Sequence, residues 1–538
     1  MNTIWFNKFL TSLSPRSYTF ISHYKLHNTT ALLNRFIVCT VRLSPHHPAL
    51  RAPLFPTPCV ERGSGPGEKG VLSSTRSTFF TRFTIFNYRN STLCSRSAGR
   101  QMKSDRMTPS EPIIDVAVVG GGASGMMAAI SAQKVFSAHG KSAAAITVFE
   151  RNDRVGKKLL ATGNGRCNLT NLDCTPSHFH GETTSFLEQI LREFTPGKIC
   201  SLFEELGLSW TAEESKVFPA SLHATSVLDT LRLYLDEHTI TAATGIRIST
   251  VSYDKGLFFL KTGDGSVRRA RTVIVATGGK CAPSTGSDGA GYAFLQSFSH
   301  ELVTPAPSIV QLVTETKFVR PLSGNKIRGS ATLFIDGAPV RSENGELLFT
   351  DYGLSGPPVL QLSGHVARAL RDAPADKKPV ITVTLDFCPL FTKKVLVEQL
   401  QRRRASFGTR RLEEFFTGFF QRRLACGILK ASTAKPLSAP VSELTDEDLA
   451  SVIRSCKELS IAVTGTQSFA QAQTTAGGIA LGGFNTATLE SLHRPGLFAC
   501  GEVLDIDGDC GGYNLHWAWT SGWIAGESAA RHVLQEHA

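Results

Sequence analysis

A glycine-rich turn between a predicted buried strand and a predicted helix is the feature that most constrains the fold of this chain. The β-branched run at 113–119 (IIDVAVV) is typical of a strand that is buried on both faces. Gly120, Gly122 and Gly125 follow it in the pattern GxGxxG, and the small residues after them predict a helix close to the sheet. The first glycine permits the turn, the second admits a pyrophosphate and the third brings helix and strand together. The sequence therefore predicts an α/β protein with a Rossmann-like dinucleotide site.

The same letter pattern occurs once earlier without that context. Gly65, Gly67 and Gly70 in GPGEKG match GxGxxG, but no apolar strand precedes them and no amphipathic helix follows. Without a strand and a helix, glycines cannot aim backbone amides at a phosphate. We interpret this match as chance.

Segments beyond the first turn distinguish a flavin from a nicotinamide dinucleotide. A second predicted strand (AAITVFE) ends in Glu150, whose carboxylate can accept both hydroxyls of an unphosphorylated adenosine ribose. Arg151 and the polar loop 162–171 come next, and such a loop can reach along an extended cofactor. A later buried strand ends in the turn 276–279, which includes Gly278 and can pass close to a bound nucleotide.

A third segment near the C-terminus is predicted to complete the site. The strand 497–500 leads into Gly501 and Glu502, and Glu502 is placed to bind a ribityl hydroxyl. A helix is predicted to open at about Tyr513, so the amides of Gly512–Leu515 would face the pyrimidine edge of a flavin, where negative charge develops on reduction. Separated segments that converge on one first strand predict FAD rather than NAD.

From about 112 to 530 the chain resembles the YhiN/BaiN-type flavoproteins, also called the aminoacetone-oxidase family. The resemblance rests on several motifs: VVGGGASG, GKKLLATGNGRCNLTN, VFPAS, ATGG, FTDYGLSGPPVLQLS, TTAGGI and GLFACGEVLDIDGDCGGYNLHWAWTSGWIAG. It implies a Rossmann-like FAD domain built from both chain ends, with an inserted β-barrel and helical part. It also implies reduction of double bonds in steroid-like bile acids in one branch and amine oxidation in another.

The resemblance further implies which residues contact FAD. His516 stands where the family pattern leads us to expect a Gln, which puts one polar contact in question. The implied contacts are Gly120, Gly122, Ala123, Ser124, Gly125, Glu150, Arg151, Lys158, Leu160, Gly165, Arg166, Asn168, Gly501, Glu502, Gly512, Tyr513, Asn514 and Leu515.

Differences in residue pattern and composition divide the chain into four predicted parts. Residues 112–304 and 475–538 are the two parts of the FAD-binding domain, and 305–474 form an insert. Short alternating runs in the insert predict antiparallel strands that close into a small barrel, and helical spacing from 392 to about 459 predicts a cap. We expect the substrate between the insert and the flavin, because ligands commonly bind in clefts between domains.

The fourth part is the leader, residues 1–106, which differs from the rest of the chain in its charge. The whole chain has a formal net charge of +12, and the leader, with 15 Lys and Arg against three acids, carries all of it. The leader therefore explains the basicity, and general polyanion binding by the body is not expected. Its Ser-, Thr- and Arg-rich composition predicts a transit peptide to a plastid or mitochondrion; a start codon assigned too early and a genuine extension are the alternatives. If the leader is not real, the protein is predicted to be cytoplasmic.

Three features have both a structural and a functional interpretation. The arginines at 402–404, 410–411 and 422–423 fit a solvated helix face better than an RNA site. The segment DYGLSGPP is either a sharp turn or a loop that delivers Tyr352 to the flavin. Cys167 is interpreted as a packed small residue rather than a redox thiol, since no cysteine pair has the CxxC spacing. Histidines show no metal-ligand spacing, so no metal is predicted.

These observations predict an FAD-dependent oxidoreductase that transfers a hydride through flavin N5 to or from a small, partly apolar molecule. NAD(P)H-fed reduction of an activated C=C bond is the preferred reaction, with the nicotinamide as a transient donor because no second dinucleotide motif follows. The alternatives are an amine oxidase, an RNA-associated flavoprotein and a flavin-binding regulator without turnover. No catalytic residue, membrane span or nucleic-acid partner is predicted, and the oligomeric state stays open.

Overall fold

The computed structural model describes residues 10–14, 17–23, 36–42, 112–141, 144–181 and 184–536. It divides into two units, Met1–Arg106 and Met107–Ala538. In the first unit, strands β1 (Leu10–Ser14), β2 (Ser17–His23) and β3 (Phe36–Arg42) pair as an antiparallel sheet. The chance match at 65–70 lies outside the described residues, as does most of the leader, whose assignment as a transit peptide stays a prediction.

A seven-stranded sheet forms the centre of the second unit. All six residues of its first strand are buried, which explains why a continuous apolar run is needed there. Its strands are β4 (Ile114–Val119), β5 (Ile146–Glu150), β10 (Thr241–Thr244), β11 (Ile248–Asp254), β12 (Leu257–Thr262), β13 (Val267–Val275) and β22 (Leu497–Ala499).

The order of the sheet is β10-β5-β4-β13-β12-β11, and β22 pairs with the C-terminal end of β13. The strands β10, β5, β4, β13 and β22 are parallel, whereas β12 and β11 add an antiparallel edge. Because the carboxyl ends of β4, β5, β13 and β22 meet at one edge, the segments that follow them gather there.

Two helices of this domain cross with their backbones in contact. They are α1 (Ala123–Ala138) and α11 (Tyr513–Gln535). A Cβ at Gly522 would lie 2.4 Å from the Ser124 oxygen, and one at Gly526 would lie 2.0 Å from the Ala128 oxygen. Glycine at these two positions therefore permits the start and the end of the chain to pack as one layer.

Shorter elements surround this layer. They are α2 (Thr184–Glu193), α3 (Pro196–Glu205), α4 (Ala224–Glu237), α5 (Ala290–Gln296), β6 (Thr170–Asn171), β7 (Phe179–Gly181), β8 (Trp210–Glu213), β9 (Lys216–Pro219) and β23 (Ile506–Gly508). Strands β7 and β23 pair as a short antiparallel ribbon.

The insert contains a closed six-stranded barrel with the order β15-β18-β17-β16-β19-β20. Apolar residues alternate with polar ones along ITVTLD, so every second side chain points into the barrel core. The strands are β15 (Leu312–Thr314), β16 (Lys326–Ile335), β17 (Ala338–Phe349), β18 (Gly353–Ser355), β19 (Ile381–Asp386) and β20 (Leu459–Thr466).

Helices complete the insert, and one strand pair connects it to the central domain. The helices are α6 (Thr316–Val319), α7 (Pro357–Asp372), α8 (Lys393–Ser406), α9 (Arg422–Ser432) and α10 (Asp446–Lys457). The chain enters through β14 (Leu302–Ser308) and returns through β21 (Thr474–Ile479), which pair antiparallel. The predicted fold class, a Rossmann-like domain from both chain ends with an inserted barrel and helices, is confirmed.

Candidate cofactor and substrate site

The glycine turn after β4 leaves space only where a phosphate is expected. Gly120 has a φ of +114°, and a Cβ there would lie 2.3 Å from the Ala276 oxygen. A Cβ at Gly125 would lie 1.9 Å from the Gly120 oxygen. A Cβ at Gly122 would meet no atom within 4 Å. Two glycines therefore pack the turn, while the middle one borders an open cradle.

The first turn of α1 offers this cradle unpaired amides. Its N-cap, Gly122, provides no side-chain cap, and no acidic residue lies in the first turn. The amides of Ala123, Ser124 and Gly125 belong to that turn, where backbone N–H groups have no partner within the helix. A helix start with these properties favours an anion such as a pyrophosphate.

Glu150, at the end of β5, is buried and already holds the turn in place. Its Oε2 accepts a bond from the Gly121 amide at 2.9 Å, and its Oε1 accepts two bonds from Asn152 at 2.8 and 2.7 Å. A carboxylate has about four acceptor positions, so one remains for a ribose hydroxyl. Its neighbour Arg151 forms an ion pair with Asp288 instead of pointing to the cradle.

The polar loop 159–168 has an unusual backbone. Gly163, Asn164, Gly165 and Cys167 all have φ between +56° and +84°. This conformation favours glycine and is tolerated by asparagine, so the GNG triplet is explained by the backbone. Burial raises the pKa of the Cys167 thiol to about 12, which agrees with a packed, unreactive side chain.

The end of this loop presents buried polar atoms without partners. Among the described residues, neither Arg166 Nε nor Asn168 Oδ1 makes a hydrogen bond. The Arg166 guanidinium lies 4.0 Å from the centre of the Phe218 ring, and its Nη2 lies 2.5 Å from Glu213 Oε2. An unsatisfied buried polar group costs about 1–3 kcal/mol, so these atoms fit a site that a polar cofactor completes.

Glu502 links three distant segments of the cofactor site. Its Oε2 accepts a bond from Lys158 Nζ at 2.6 Å, and its Oε1 accepts bonds from the Thr475 amide at 2.8 Å and the Cys281 thiol at 2.9 Å. Burial alone would lower the pKa of Lys158, but the charge of Glu502 raises it well above its usual value. Burial raises the pKa of Cys281 to about 12. At neutral pH Lys158 is therefore an ammonium and Cys281 a neutral thiol, and both contact Glu502.

The turn before α11 brings the C-terminal segment against the polar loop. Gly512 has a φ of +103°, and a Cβ there would lie 2.6 Å from the Thr170 oxygen and 2.8 Å from Asn168 Oδ1. The ring of Tyr513 stacks on His178 at 4.4 Å, and Asn514 Nδ2 donates to the Gly508 oxygen at 2.7 Å. These contacts fix the amides at the start of α11 beside Asn168.

The remaining predicted residues lie at the borders of the same surface. Gly278 has a φ of +73°, and a Cβ at Gly501 would lie 2.4 Å from Ser124 Oγ. The side chains of Leu160 and Leu515 pack against the core of the FAD-binding domain. The structure thus brings the four predicted segments into one continuous site, and its open cradle and unpartnered atoms fit FAD.

His516 is built into the protein rather than aimed at a cofactor. It is fully buried, its Nδ1 lies 2.8 Å from Thr170 Oγ1, and its Nε2 lies 2.9 Å from the Phe194 oxygen. Burial lowers the pKa of His516 to about 4, so the imidazole is neutral. The residue in place of the expected Gln therefore connects α11 to two other segments.

Sequence reasoning missed a second polar group, which lies where the insert meets the β7–β23 ribbon. We call it the interdomain cluster; its members are His180, Arg341, His365, Arg368, Asp507 and Asp509. Arg341 on β17 donates two bonds to Asp509, at 2.9 and 2.8 Å, and His180 Nε2 lies 2.8 Å from the same carboxylate. Arg341 and His180 hold the pKa of Asp509 well below its usual value, although burial alone would raise it.

The other half of the cluster contains α7. Arg368 pairs with Asp507, whose side chain is 1% exposed. Burial raises the pKa of Asp507 to about 6, and the charges of Arg368 and His180 oppose that rise. His365 packs edge-on against His180 with ring centres 5.3 Å apart. Burial, with the positive charges nearby, lowers the pKa of His365 to about 4, so this imidazole is neutral at pH 7.

Two patterns in the sequence could have indicated this cluster. Asp505, Asp507 and Asp509 alternate in DIDGD, which puts them on one face of a strand. Gln361, His365 and Arg368 follow helical spacing in QLSGHVAR, and Gln361 Oε1 accepts a bond from the Cys510 amide at 2.6 Å. The two faces meet only because the insert folds back on the C-terminal segment.

Several arginines of the helical cap are paired. Arg403 donates to the Phe415 and Thr417 oxygens, Arg404 to Asp446 and Arg422 to Glu413. They do not form a continuous unpaired basic face within the part of the cap that the structure describes. Tyr352 lies in the short connection between β17 and β18, and its carbonyl accepts a bond from the Thr314 amide at 3.1 Å. The segment DYGLSGPP therefore forms the connection to β18, the strand β18 itself and the start of α7.

Two features are absent from the described ranges. No helix there is long and apolar enough to cross a membrane. No group of three or more His, Cys, Asp or Glu side chains within those ranges could hold a metal ion.

Comparison with known proteins agrees with this arrangement. A family profile described as "HI0933-like protein Rossmann domain" matches residues 114–528. The chain is 35% identical over 415 residues to a 3-dehydro-bile acid delta(4,6)-reductase of Clostridium scindens, covering 77% of this chain and 98% of that protein. It is 27% identical over 420 residues to a ribosomal RNA dihydrouridine synthase of Haemophilus influenzae, covering 77% and 98%.

Among solved structures, a flavocytochrome c3 fumarate reductase in its open conformation matches with 18% identity and a TM-score of 0.38, covering 79% of each chain. The family assignment does not depend on that likeness. It depends on the profile, which spans most of the chain, and on the reductase, which is more than 30% identical across nearly its whole length. The chain belongs to the HI0933-like family of FAD-binding Rossmann proteins and is an FAD-dependent oxidoreductase.

Proposed function

We propose that this enzyme reduces a C=C bond conjugated with a carbonyl group in a small, partly apolar molecule, with NAD(P)H as a transient electron donor. The observation that carries the proposal is the 35% identity to the bile acid reductase, which covers 98% of that protein. Its name describes a 3-oxo steroid with double bonds beyond the ketone. A dihydrouridine synthase also saturates a C=C bond next to a carbonyl, in uracil. The two relatives therefore share a reaction class although their substrates differ.

When bound, FAD would supply a ring that takes up and passes on a hydride at N5. The chain's own residues would hold it. Backbone amides at the start of α1 bind the pyrophosphate, Glu150 binds the adenosine ribose, and Glu502 meets the ribityl chain beside Lys158. The amides at the start of α11 stabilise negative charge on the pyrimidine edge.

The donor is proposed to bind transiently. After Gly125 the sequence contains no second GxGxxG between a strand and a helix. A dedicated nicotinamide domain of the Rossmann kind is thus not indicated, so a nicotinamide would approach the flavin face directly.

The test is anaerobic stopped-flow absorbance of the FAD-loaded full chain, mixed separately with NADH and with NADPH. We expect one of them to bleach the oxidised flavin band, and a 3-oxo-4-ene steroid to restore it with formation of the saturated ketone. If neither nicotinamide reduces the flavin while an amine does, the enzyme is an oxidase of the amine type and the proposal is wrong. Failure of every donor would indicate a flavin-binding regulator.

A second candidate is reduction of uracil in ribosomal RNA, because a dihydrouridine synthase is 27% identical over 420 residues. The balanced charge outside the leader and the paired arginines of the cap support the small-molecule candidate instead. Incubation of the reduced enzyme with unmodified ribosomal RNA, followed by nucleoside mass spectrometry, decides between them. Dihydrouridine formed at a rate that exceeds steroid reduction would favour the RNA candidate.

A further inference from the structure

The interdomain cluster contains two buried nitrogen atoms without partners. Among the described residues, neither Arg368 Nη1 nor His365 Nε2 makes a hydrogen bond, and the acceptor Asp507 Oδ2 of the same cluster also has no partner. An arginine can only donate, so Arg368 Nη1 is an unused N–H donor. The neutral imidazole of His365 can also donate from Nε2, in the tautomer that carries the proton on that nitrogen. Buried donors without acceptors indicate that an acceptor from outside the protein completes the site.

Both side chains come from one face of α7 and meet the ribbon at one place. His365 and Arg368 are three positions apart, which is the spacing of neighbours on a helix surface. His365 packs on His180, and Arg368 pairs with Asp507. His180 and Asp507 are directly opposite each other in the pairing of β7 with β23. The side chains of His365 and Arg368 therefore contact the two members of a single cross-strand pair.

The ribbon connects this pair to the start of α11. Asp507 lies six positions before Tyr513, whose ring stacks on His178 of the segment that leads into β7. The Asn514 side chain accepts a bond from the Gly508 amide at 2.9 Å. The cross-strand pair that His365 and Arg368 contact is thus linked through the ribbon to the segment assigned above to the pyrimidine edge of the flavin.

We propose that Arg368 and His365 bind the carbonyl oxygen of the substrate and stabilise the enolate that hydride addition creates. The inference rests on the proposed function and identifies the substrate as a conjugated ketone or similar carbonyl compound. When bound, reduced FAD would supply a hydride to the β-carbon; the C=C π electrons would then form an enolate, and a proton from water would add to the α-carbon. Donors placed at the developing oxyanion are a general means of stabilising such a transition state. Asp507 acts as a positioning residue for Arg368.

The test uses 4-nitrophenolate, whose delocalised oxyanion resembles an enolate, as a probe with the FAD-loaded full chain. Binding next to the flavin is followed by its long-wavelength charge-transfer band. We expect Arg368→Gln to weaken binding about tenfold or more and His365→Phe about fivefold, as for hydrogen bonds to charged groups. Arg368→Lys should fall between Arg368→Gln and the native protein. Arg402→Gln is the control, since its Nε contacts only the Glu398 oxygen in its own helix turn.

Circular dichroism and FAD content verify that each variant is folded and loaded. If Arg368→Gln does not fold or does not load FAD, the binding measured with Arg368→Lys and His365→Phe decides whether the proposal stands. Unchanged binding in the folded variants, or no charge-transfer band with the native protein, overturns the proposal. If binding depends on Arg368 and His365 but no conjugated ketone is reduced, this site stands and the proposed function fails. If ketones are reduced and the variants bind 4-nitrophenolate normally, the proposed function stands and this site fails.

Discussion

The cradle at the start of α1 and the interdomain cluster are built differently. In the cradle, contacts are made by backbone: Gly125 lies against Gly120, and Gly122 leaves the space for a ligand. In the cluster, contacts are made by charged side chains from β7, β17, α7 and β23. The first has rigid geometry set by a few neighbouring residues, whereas the second depends on distant segments meeting correctly.

This difference indicates how each region tolerates change. A backbone site fails when an atom is added, because there is no space for it. A charged side-chain site fails when an atom is removed, because its buried partner is left without compensation. Substitutions that add atoms in one region and remove them in the other therefore test the comparison.

The largest effect is expected from Gly125→Val. Its Cβ would lie 1.9 Å from the Gly120 oxygen, so the turn must open and the free energy of unfolding should fall by about 3 kcal/mol or more. Gly122→Ala is the matched change: its Cβ meets no atom within 4 Å, so stability should hold while FAD affinity falls at least about tenfold. Urea denaturation and FAD titration measure the two quantities. Equal effects of both changes on stability would contradict the distinction between a glycine that packs the turn and one that borders open space.

Removal of a buried carboxylate should have the next largest effect. Asp509→Ala leaves Arg341 and His180 without their shared partner, and we expect a loss of about 2–3 kcal/mol in unfolding free energy. Asp372→Ala is the control, since Asp372 also pairs with an arginine, Arg371, but is 61% exposed. An exposed pair contributes at most about 1 kcal/mol. Similar losses in both variants would show that burial does not determine how much an ion pair contributes to the free energy of unfolding.

The pH dependence of stability should separate the two titrating groups of the cluster. Between about pH 4 and 6 the folded protein keeps a proton on Asp507 that the unfolded chain releases, so this group makes stability fall as pH rises. In the same window the unfolded chain protonates His365 and the folded protein does not, so that group makes stability rise with pH.

Replacing Asp507 and replacing His365 should therefore change the slope of stability against pH in opposite directions. Asp507→Asn should make stability rise more steeply with pH than in the native protein, and His365→Gln should make it rise less. For Asp507 the change approaches about 1.4 kcal/mol per pH unit. Denaturation midpoints from pH 4 to 7 measure both slopes. Slopes that change in the same direction would refute these assignments.

The smallest effect is expected from Cys281→Ala in the cofactor domain. The thiol bond to Glu502 is lost, but Glu502 keeps Lys158 and Thr475, so unfolding free energy should fall by about 1 kcal/mol. Because the pKa of this thiol is about 12, the flavin spectrum of the native protein should not respond to its ionisation below pH 9. Absorbance spectra and urea titration test this, and a shifted flavin band in the variant would show direct contact with the cofactor.

The cradle could be predicted from the sequence because its parts are neighbours along the chain. A strand, three glycines and a small-residue helix determine the turn locally, and the positive φ of Gly120 explains why glycine stands there. The barrel and its helical cap were also predictable, because alternation and helical spacing are local signals. The domain boundaries at 304/305 and 474/475 stay predictions, although β14 and β21 pair close to both.

The side-chain networks could not be predicted in the same way. Glu502 contacts Lys158 and Cys281, which are 344 and 221 positions away in the chain. No spacing rule joins such residues, since the contact exists only after both ends of the chain have packed into one sheet. For the same reason, the regular spacing of polar residues in α7 and in the DIDGD segment does not indicate that the polar face of the helix meets the polar face of the strand.

The packing of α11 on α1 has a consequence for biosynthesis. Helix α1 emerges from the ribosome early, but α11, which covers it and contains Gly522 and Gly526, begins more than 370 positions after α1 ends. The barrel and its cap, between β14 and β21, are complete before that point. During translation the insert can thus fold while the buried face of α1 is not yet covered. We expect nascent chains that lack α11 to recruit chaperones and to bind no FAD.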